Sequence, residues 1–188
     1  MEREINMKIL TLILSLMMTF AIGAKTMKTE TATLAGGCFW GVEELIKSIP
    51  GVLETNVGYS GGSIDNPNYN IVKLGTSNHA ESVQIVFDPS KVSFSEILTF
   101  FFRMHDPTTL NQQGNDKGTQ YRSVIFYHSE EQKRVAVEAI QKVEAAKKWK
   151  KTIVTQVVPA TKFYLAEEYH QDYLKKNPGG YTCHWLRD

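Results

Sequence analysis

The sequence predicts a two-layer α/β sandwich of the α+β type, with a ferredoxin-like core and a loop-rich C-terminal tail. Three observations carry this. Strand-like and helix-like segments follow one another in the order strand–helix–strand, strand–helix–strand, the pattern of a split βαβ unit repeated in one sheet. The chain has 188 residues, 42% of them hydrophobic, which suffices for one domain with a real core and not for two. There is no repeat at solenoid periods and no low-complexity tract beyond the N-terminus, so the alternation belongs to one layered unit.

Each element has a local reason. Thr31 to Ala35 alternates in strand fashion, and Gly36-Gly37 breaks the strand. In FWGVEELIKSIPG the apolar Val42, Leu45, Ile46 and Ile49 recur at helical spacing before Pro50-Gly51 stops the helix. Strands are expected at Val52–Tyr59, Glu81–Phe87, Ser123–Tyr127 and Ile153–Val158, each rich in β-branched or aromatic residues and bounded by turn formers. Helices fill the gaps: SFSEILTFFFRMH opens with Ser93 and Glu96 as a capping box, and SEEQKRVAVEAIQKVEAAKKW opens with Ser129 and Gln132 in the same pattern. The closing KNPGGYTCHWLRD reads as a flexible tail.

The N-terminus reads as an address. MKILTLILSLMMTFAIGA starts with a lysine, continues through an apolar run and closes on small residues, Ala21 and Gly23, at the spacing of a cleavage site. Residues 1–24 are therefore expected to be a signal peptide or an uncleaved N-terminal anchor, with Met7 a candidate start, and residues 25–188 a single catalytic domain. The expected location is exported: periplasmic or otherwise extracytoplasmic.

A formal net charge of +1 and 22% charged residues give no electrostatic footprint for nucleic acid, so partners are small or locally recognised. The one charge run, Lys147, Lys148, Lys150 and Lys151, reads as a wet helix end.

Two cysteines, Cys38 and Cys183, leave two readings open. As a structural disulfide in an oxidising compartment they would add about 4–5 kcal/mol in the chain-entropy model. As a reactive thiol, Cys38 sits between a glycine pair and the start of a helix, where free backbone N–H groups and the helix dipole favour a thiolate. Phe39 and Trp40 are ordinary core by default; beside an activated thiol they line a pocket for an apolar group. His79, His170 or His184 would have to pair with Cys38 in a Cys-His hydrolase, and His184 beside Cys183 is too little for a zinc site. The lack of a C-x-x-C disfavours a dithiol oxidoreductase.

Four segments in order, GCFWG at 37–41, HAES at 79–82, GNDKGTQYRS at 114–123 and FYLAEEYHQDYL at 163–174, resemble the peptide methionine sulfoxide reductase A family over residues 30–187. The resemblance implies reduction of (S)-methionine sulfoxide in proteins and peptides, a repair reaction that needs no cofactor and no metal. It implies Cys38 as nucleophile, Glu81 as the acid that protonates the sulfoxide oxygen, and Tyr69 and Tyr121 as phenols that hydrogen-bond that oxygen. Asp116 matches the aspartate that orders the site, and Phe39 and Trp40 match the wall that receives the ε-methyl group. Cys183 in GYTCH matches the recycling cysteine, which forms a disulfide with the Cys38 sulfenic acid and is reduced by a thioredoxin-like protein. Many relatives carry a further recycling cysteine; with none after Cys183, the shorter route is expected. For Glu81 to hold a proton near neutral pH it must be desolvated, and the Phe39/Trp40 wall helps to do that. The aromatics Phe163, Tyr164, Tyr169 and Tyr173, and His170, read as packing.

Overall fold

The computed structural model describes residues 28–188, so the leader expected at 1–24 lies outside the described residues. In chain order the elements are β1 (Glu30–Gly36), α1 (Phe39–Lys47), β2 (Val52–Ser60), the one-turn α2 (Tyr69–Val72), β3 (Ala80–Phe87), α3 (Phe94–Met104), the short β4 (Gln112–Gln113) and β5 (Asp116–Lys117), β6 (Ser123–Tyr127), α4 (Glu130–Ala145), β7 (Gln156–Pro159), β8 (Tyr164–Leu165) and α5 (Tyr173–Lys176). The main sheet runs β7-β6-β1-β3-β2-β8. Its inner four strands, β6-β1-β3-β2, pair antiparallel throughout. That is the split βαβ order: β1 and β2, joined by α1, are held apart by β3. β7 extends the sheet in parallel beside β6, and β8 pairs antiparallel with β2.

Period-2 strands meet period-3.6 helices in one core. Leu34, Val57, Val83, Ile85 and Phe87 point from the sheet at Val42 and Ile46 of α1 and at Ile97, Leu98 and Phe101 of α3. Each fully buried side chain of this size contributes about 1.5–3 kcal/mol. A smaller cluster, Ala35, Ala80, Val124 and Phe126, packs on the opposite face.

The capping box of α3 is complete: Ser93 Oγ accepts from the Glu96 N–H at 3.2 Å, and Glu96 Oε2 accepts from the Ser93 N–H at 2.8 Å. At α4 only half of the expected box forms. Ser129 Oγ accepts from the Gln132 N–H at 3.1 Å, but the Gln132 amide accepts from the His128 N–H and donates to the Thr31 carbonyl at 2.8 Å. An amide has a donor as well as an acceptor, so Gln132 ties the helix to β1 instead. The last predicted strand begins three residues late, because the Val154 N–H is taken by the Pro107 carbonyl at 2.8 Å and not by the sheet.

The tail has no regular structure over 181–188, as expected, but it is docked. The Arg187 N–H donates to the Arg103 carbonyl at 2.9 Å, Arg103 Nε donates back to the Arg187 carbonyl at 2.7 Å, and His184 Nε2 donates to the Gly36 carbonyl at 2.7 Å.

Candidate active site

The end of β1 delivers the nucleophile candidate. Gly37 has φ +109°, in the left-handed region where a side chain is strained, and this turn places Cys38 at the N-cap of α1. The Trp40 amide faces its sulfur. β3 supplies Glu81, 2% exposed, opposite Tyr59 of β2, and Glu81 Oε2 accepts the Phe39 N–H at 3.2 Å. Tyr69 opens α2, whose N-cap Asn68 accepts from the Ile71 N–H. Its position is set by Glu167, which accepts the Tyr69 N–H and the Tyr59 hydroxyl, each at 2.9 Å. Asp116 comes from the β4–β5 hairpin, and Tyr121 from the 3-10 turn that follows it.

These residues meet in one cavity of about 110 Å³ lined by Cys38, Phe39, Trp40, Tyr69, Glu81, Asp116, Tyr121 and Tyr181. Seven of the eight site residues expected from sequence are thus brought together. The eighth, Cys183, touches the cavity wall, with Sγ 3.4 Å from Asp116 Oδ2. Both cysteines are free thiols. A larger cavity of about 590 Å³ lies between α3, α4 and the tail, but neither thiol and no histidine lines it, so size does not mark the site.

Sequence reasoning missed Tyr181, two residues before Cys183. It also left the support of Trp40 as packing: the indole Nε1 donates to His170 Nδ1 at 3.0 Å, and its ring stacks on Tyr173 at 3.7 Å. Both partners lie in FYLAEEYHQDYL, and the signal was there in the alternation of acids and aromatics across that segment.

The electrostatics correct one expectation. The helix N-terminus was expected to lower the Cys38 thiol, and the Trp40 N–H does act that way. Burial acts against it and is larger, and the Glu81 charge adds to burial, so the thiol is held well above the ordinary range. Glu81 in turn is pushed up to about 8 by burial, with the Asp116 charge adding and the Phe39 N–H opposing. Below pH 8 Glu81 is therefore protonated, and burial, with the Asp116 charge adding, is left to hold the thiol neutral. Burial and then the Glu81 charge also raise the phenols Tyr69 and Tyr121. At neutral pH the cavity therefore presents a thiol, a carboxylic acid and the phenols of Tyr69 and Tyr121.

The rival pairings are not made. His79 bonds the Gly62 N–H and the Ile64 carbonyl, His170 bonds Trp40, and His184 bonds Gly36. Among the described residues no cluster of three or more His, Cys, Asp or Glu is arranged to hold a metal ion, and no helix is long and apolar enough to cross a membrane.

A ferredoxin-like sandwich that sets a buried thiol among proton donors, with no histidine base against it, defines a thiol enzyme that acts on an oxygen it must protonate. Hydrolysis would ask for the opposite, a base at the sulfur. The chain belongs to the peptide methionine sulfoxide reductase family, which matches residues 30–187, and is an oxidoreductase that reduces methionine sulfoxide. A relative from Rhodopirellula baltica, peptide methionine sulfoxide reductase MsrA 2, is 52% identical over 159 residues, covering 85% of this chain and 92% of that one. The reduced form of Mxr1 from Saccharomyces cerevisiae superposes with a TM-score of 0.81 at 40% identity, covering 90% of this chain and 98% of that one. Mxr1 in complex with Trx2 gives a TM-score of 0.58 at 27% identity, covering 90% and 97%.

Proposed function

We propose that this chain repairs (S)-methionine sulfoxide in proteins and peptides by attack of Cys38, resolution by Cys183 and recycling by a thioredoxin-like protein. The observation that carries the reading is a carboxyl held protonated to about pH 8 in the same small cavity as the thiol. A sulfoxide sulfur becomes electrophilic once its oxygen is protonated or strongly hydrogen-bonded. Glu81 gives its proton to that oxygen, Tyr69 and Tyr121 donate hydrogen bonds to it, and the ε-methyl rests against Phe39 and Trp40. Asp116 orders the cavity. Charge developing on the substrate sulfur supplies what the buried thiol lacks, so Cys38 ionises as it attacks, and its proton passes to the Glu81 carboxylate left by the transfer to oxygen.

The atoms balance. The S–O oxygen passes to Cys38, which becomes a sulfenic acid, and methionine leaves. The Cys183 thiol then displaces that hydroxyl as water and forms the Cys38–Cys183 disulfide, which an external dithiol reduces by exchange. The assembly of Mxr1 with Trx2 supports a thioredoxin-like partner at this step. Residues 7–24 carry the signature of an export leader, and we place the repair reaction outside the cytoplasm, with residues 25–188 the mature domain.

The test is direct. The mature protein, each epimer of a methionine sulfoxide peptide and dithiothreitol are incubated and the products resolved on a chiral column. Only the S epimer is expected to be consumed; equal consumption of both overturns the selectivity, and consumption of neither overturns the activity.

A further inference from the structure

Resting on the reading that Cys183 resolves the sulfenic acid, we propose that His184 is the catalytic base of that second step, taking the Cys183 proton at Nδ1 as the disulfide forms. The geometry fixes which nitrogen is free. His184 Nε2 lies 2.7 Å from the Gly36 carbonyl oxygen. A carbonyl only accepts, so Nε2 carries the hydrogen and Nδ1 keeps its lone pair. That lone pair faces Cys183 Sγ at 3.5 Å. The ring is buried, and the His184 N–H is tied to Thr182 Oγ1 at 3.1 Å, so the pair is held in register.

The pentapeptide GCFWG leaves the slot for this ring. A Cβ on Gly41 would lie 2.6 Å from His184 Nδ1, and one on Gly37 would lie 3.0 Å from Nε2. The glycines on both sides of Cys38 thus make room for the residue next to Cys183. This joins the two thiols' surroundings through one imidazole.

The groups that face His184 are Cys183, Asp116 of β5, His105 at the end of α3 and Arg187 of the tail. His105 is neutral, pushed down to about 3 by burial. Burial also lowers His184, against the Gly36 bond and the Asp116 charge, so its ring is neutral at physiological pH. Asp116 Oδ2 is the other acceptor near the Cys183 thiol, but Asp116 also lines the Cys38 cavity, so its loss touches both chemical steps. His184 does not line that cavity.

A base is needed here. Burial first, and the Asp116 bond next, push the Cys183 thiol up to about 12, so it supplies little thiolate by itself at neutral pH. In the step, the S–H bond of Cys183 breaks and its proton passes to Nδ1. The freed sulfur pair bonds to the Cys38 sulfur, and the Cys38 S–O bond breaks. The leaving hydroxide collects the proton from the imidazolium as water. Cys183 sulfur is oxidised, Cys38 sulfur is reduced, and no outside reagent enters.

His184→Gln keeps an N–H that reaches the Gly36 carbonyl and removes the titrating nitrogen. After one equivalent of peptide sulfoxide, rapid quench and mass analysis follow methionine release, a sulfenate-trapping adduct on Cys38, and the disulfide. The variant is expected to release its methionine burst, accumulate the adduct, and form the disulfide about 10²-fold more slowly. In the wild type, disulfide formation should be flat above about pH 7 and fall below the ordinary histidine value of 6.5 as the ring protonates. The variant should lose that acid limb and show instead the tenfold rise per pH unit of an unassisted thiol. A wild-type rate and profile in the variant overturns the proposal. So does a wild-type rate that climbs tenfold per unit with no plateau, a measurement that stands even if the variant fails to fold. A wild type that gives its burst and never forms the Cys38–Cys183 disulfide overturns the resolving role and the base with it. A normal wild-type disulfide with an unaffected variant overturns the base alone.

Discussion

Glu81→Gln separates a working acid from a packing carboxyl. Glutamine keeps the shape and can still accept the Phe39 N–H that Glu81 Oε2 holds at 3.2 Å, but it has no proton to give. With a value of about 8 against the ordinary 4.5, about 90% of Glu81 is in its acid form at pH 7, where an ordinary glutamic acid would have about 0.3%. Desolvation thus multiplies the competent acid by roughly 300 at that pH. General acids contribute about 10²–10⁴-fold, and because Tyr69 and Tyr121 remain as donors, a loss of roughly 10²–10³-fold in the methionine-releasing step is expected. Rapid-quench single turnovers read that step directly. The acid form is the active one and its value is raised, so the wild-type rate should hold up to about pH 8 and fall above it, whereas the variant should be slow and climb with pH as an unassisted thiol does. The same shift makes a stability statement. Between 4.5 and 8 the folded state binds more protons than the unfolded one, so this group's contribution is fully present below 4.5 and is lost as pH rises through 8, at up to about 1.4 kcal/mol per pH unit. The variant should lack that slope in urea titrations. A wild-type burst rate in Glu81→Gln, or the same alkaline limb in both proteins, would refute the assignment.

The remaining predictions follow from named groups. Cys38→Ser should abolish sulfoxide reduction, since a hydroxyl ionises far less readily than even a buried thiol; substantial turnover in that variant would remove Cys38 from the nucleophile role. Cys183→Ser should stay folded, reduce one equivalent and stop with Cys38 as sulfenic acid when a thioredoxin-like protein is the only donor, with small monothiols left out because they attack the sulfenate directly. Sustained turnover under those conditions would sink the resolving role. Phe101→Ala, at a fully buried site between α3 and the sheet, should cost about 3–5 kcal/mol in chemical denaturation, and a loss below about 1 kcal/mol would mean that the core is not centred there. Ser93→Ala should cost about 1 kcal/mol by removing the acceptor of a complete capping box, which thermal unfolding can read.

The sequence made legible what local chemistry decides. Alternation and helical spacing yielded the inner strands, α1, α3 and α4, because each of these is long enough to state its period. It did not yield α2, β4, β5, β8 or α5, which span two to four residues each and are fixed by distant partners. Tyr69, for example, is placed by Glu167 through a bond across 98 positions, and the same carboxylate holds Tyr59 across 108. The thiol's ionisation failed for the same reason. A helix N-terminus is visible in a pentapeptide, whereas burial is a property of the whole fold, and at Cys38 burial is the larger of the two. Gln132 shows the reverse case, a local capping pattern overridden because β1 offers its amide a better use.

The tail carries a conflict that the chemistry must resolve. Cys183 is only 9% exposed, and it is held between Asp116 and His184 on a segment tied to Gly36 and Arg103. That packing suits the proposed resolving attack, since it keeps the sulfur beside the cavity that holds Cys38. It opposes the next step, because a dithiol protein cannot reach a buried disulfide. Oxidation itself removes part of the restraint. In the Cys38–Cys183 disulfide of the proposed mechanism, Cys183 has no S–H to donate to Asp116 or His184. What remains is the pair of bonds between Arg187 and Arg103 and the histidine bond to Gly36. Upstream, Pro178-Gly179-Gly180 offers a pivot: Gly179 has φ +82°, and a side chain there would meet nothing within 4 Å. On the proposed mechanism the reduced tail is therefore the tighter state and the oxidised tail the looser one, which gives the order the mechanism needs: closed while the thiol meets the sulfenic acid, and open when the disulfide is presented to its reductant.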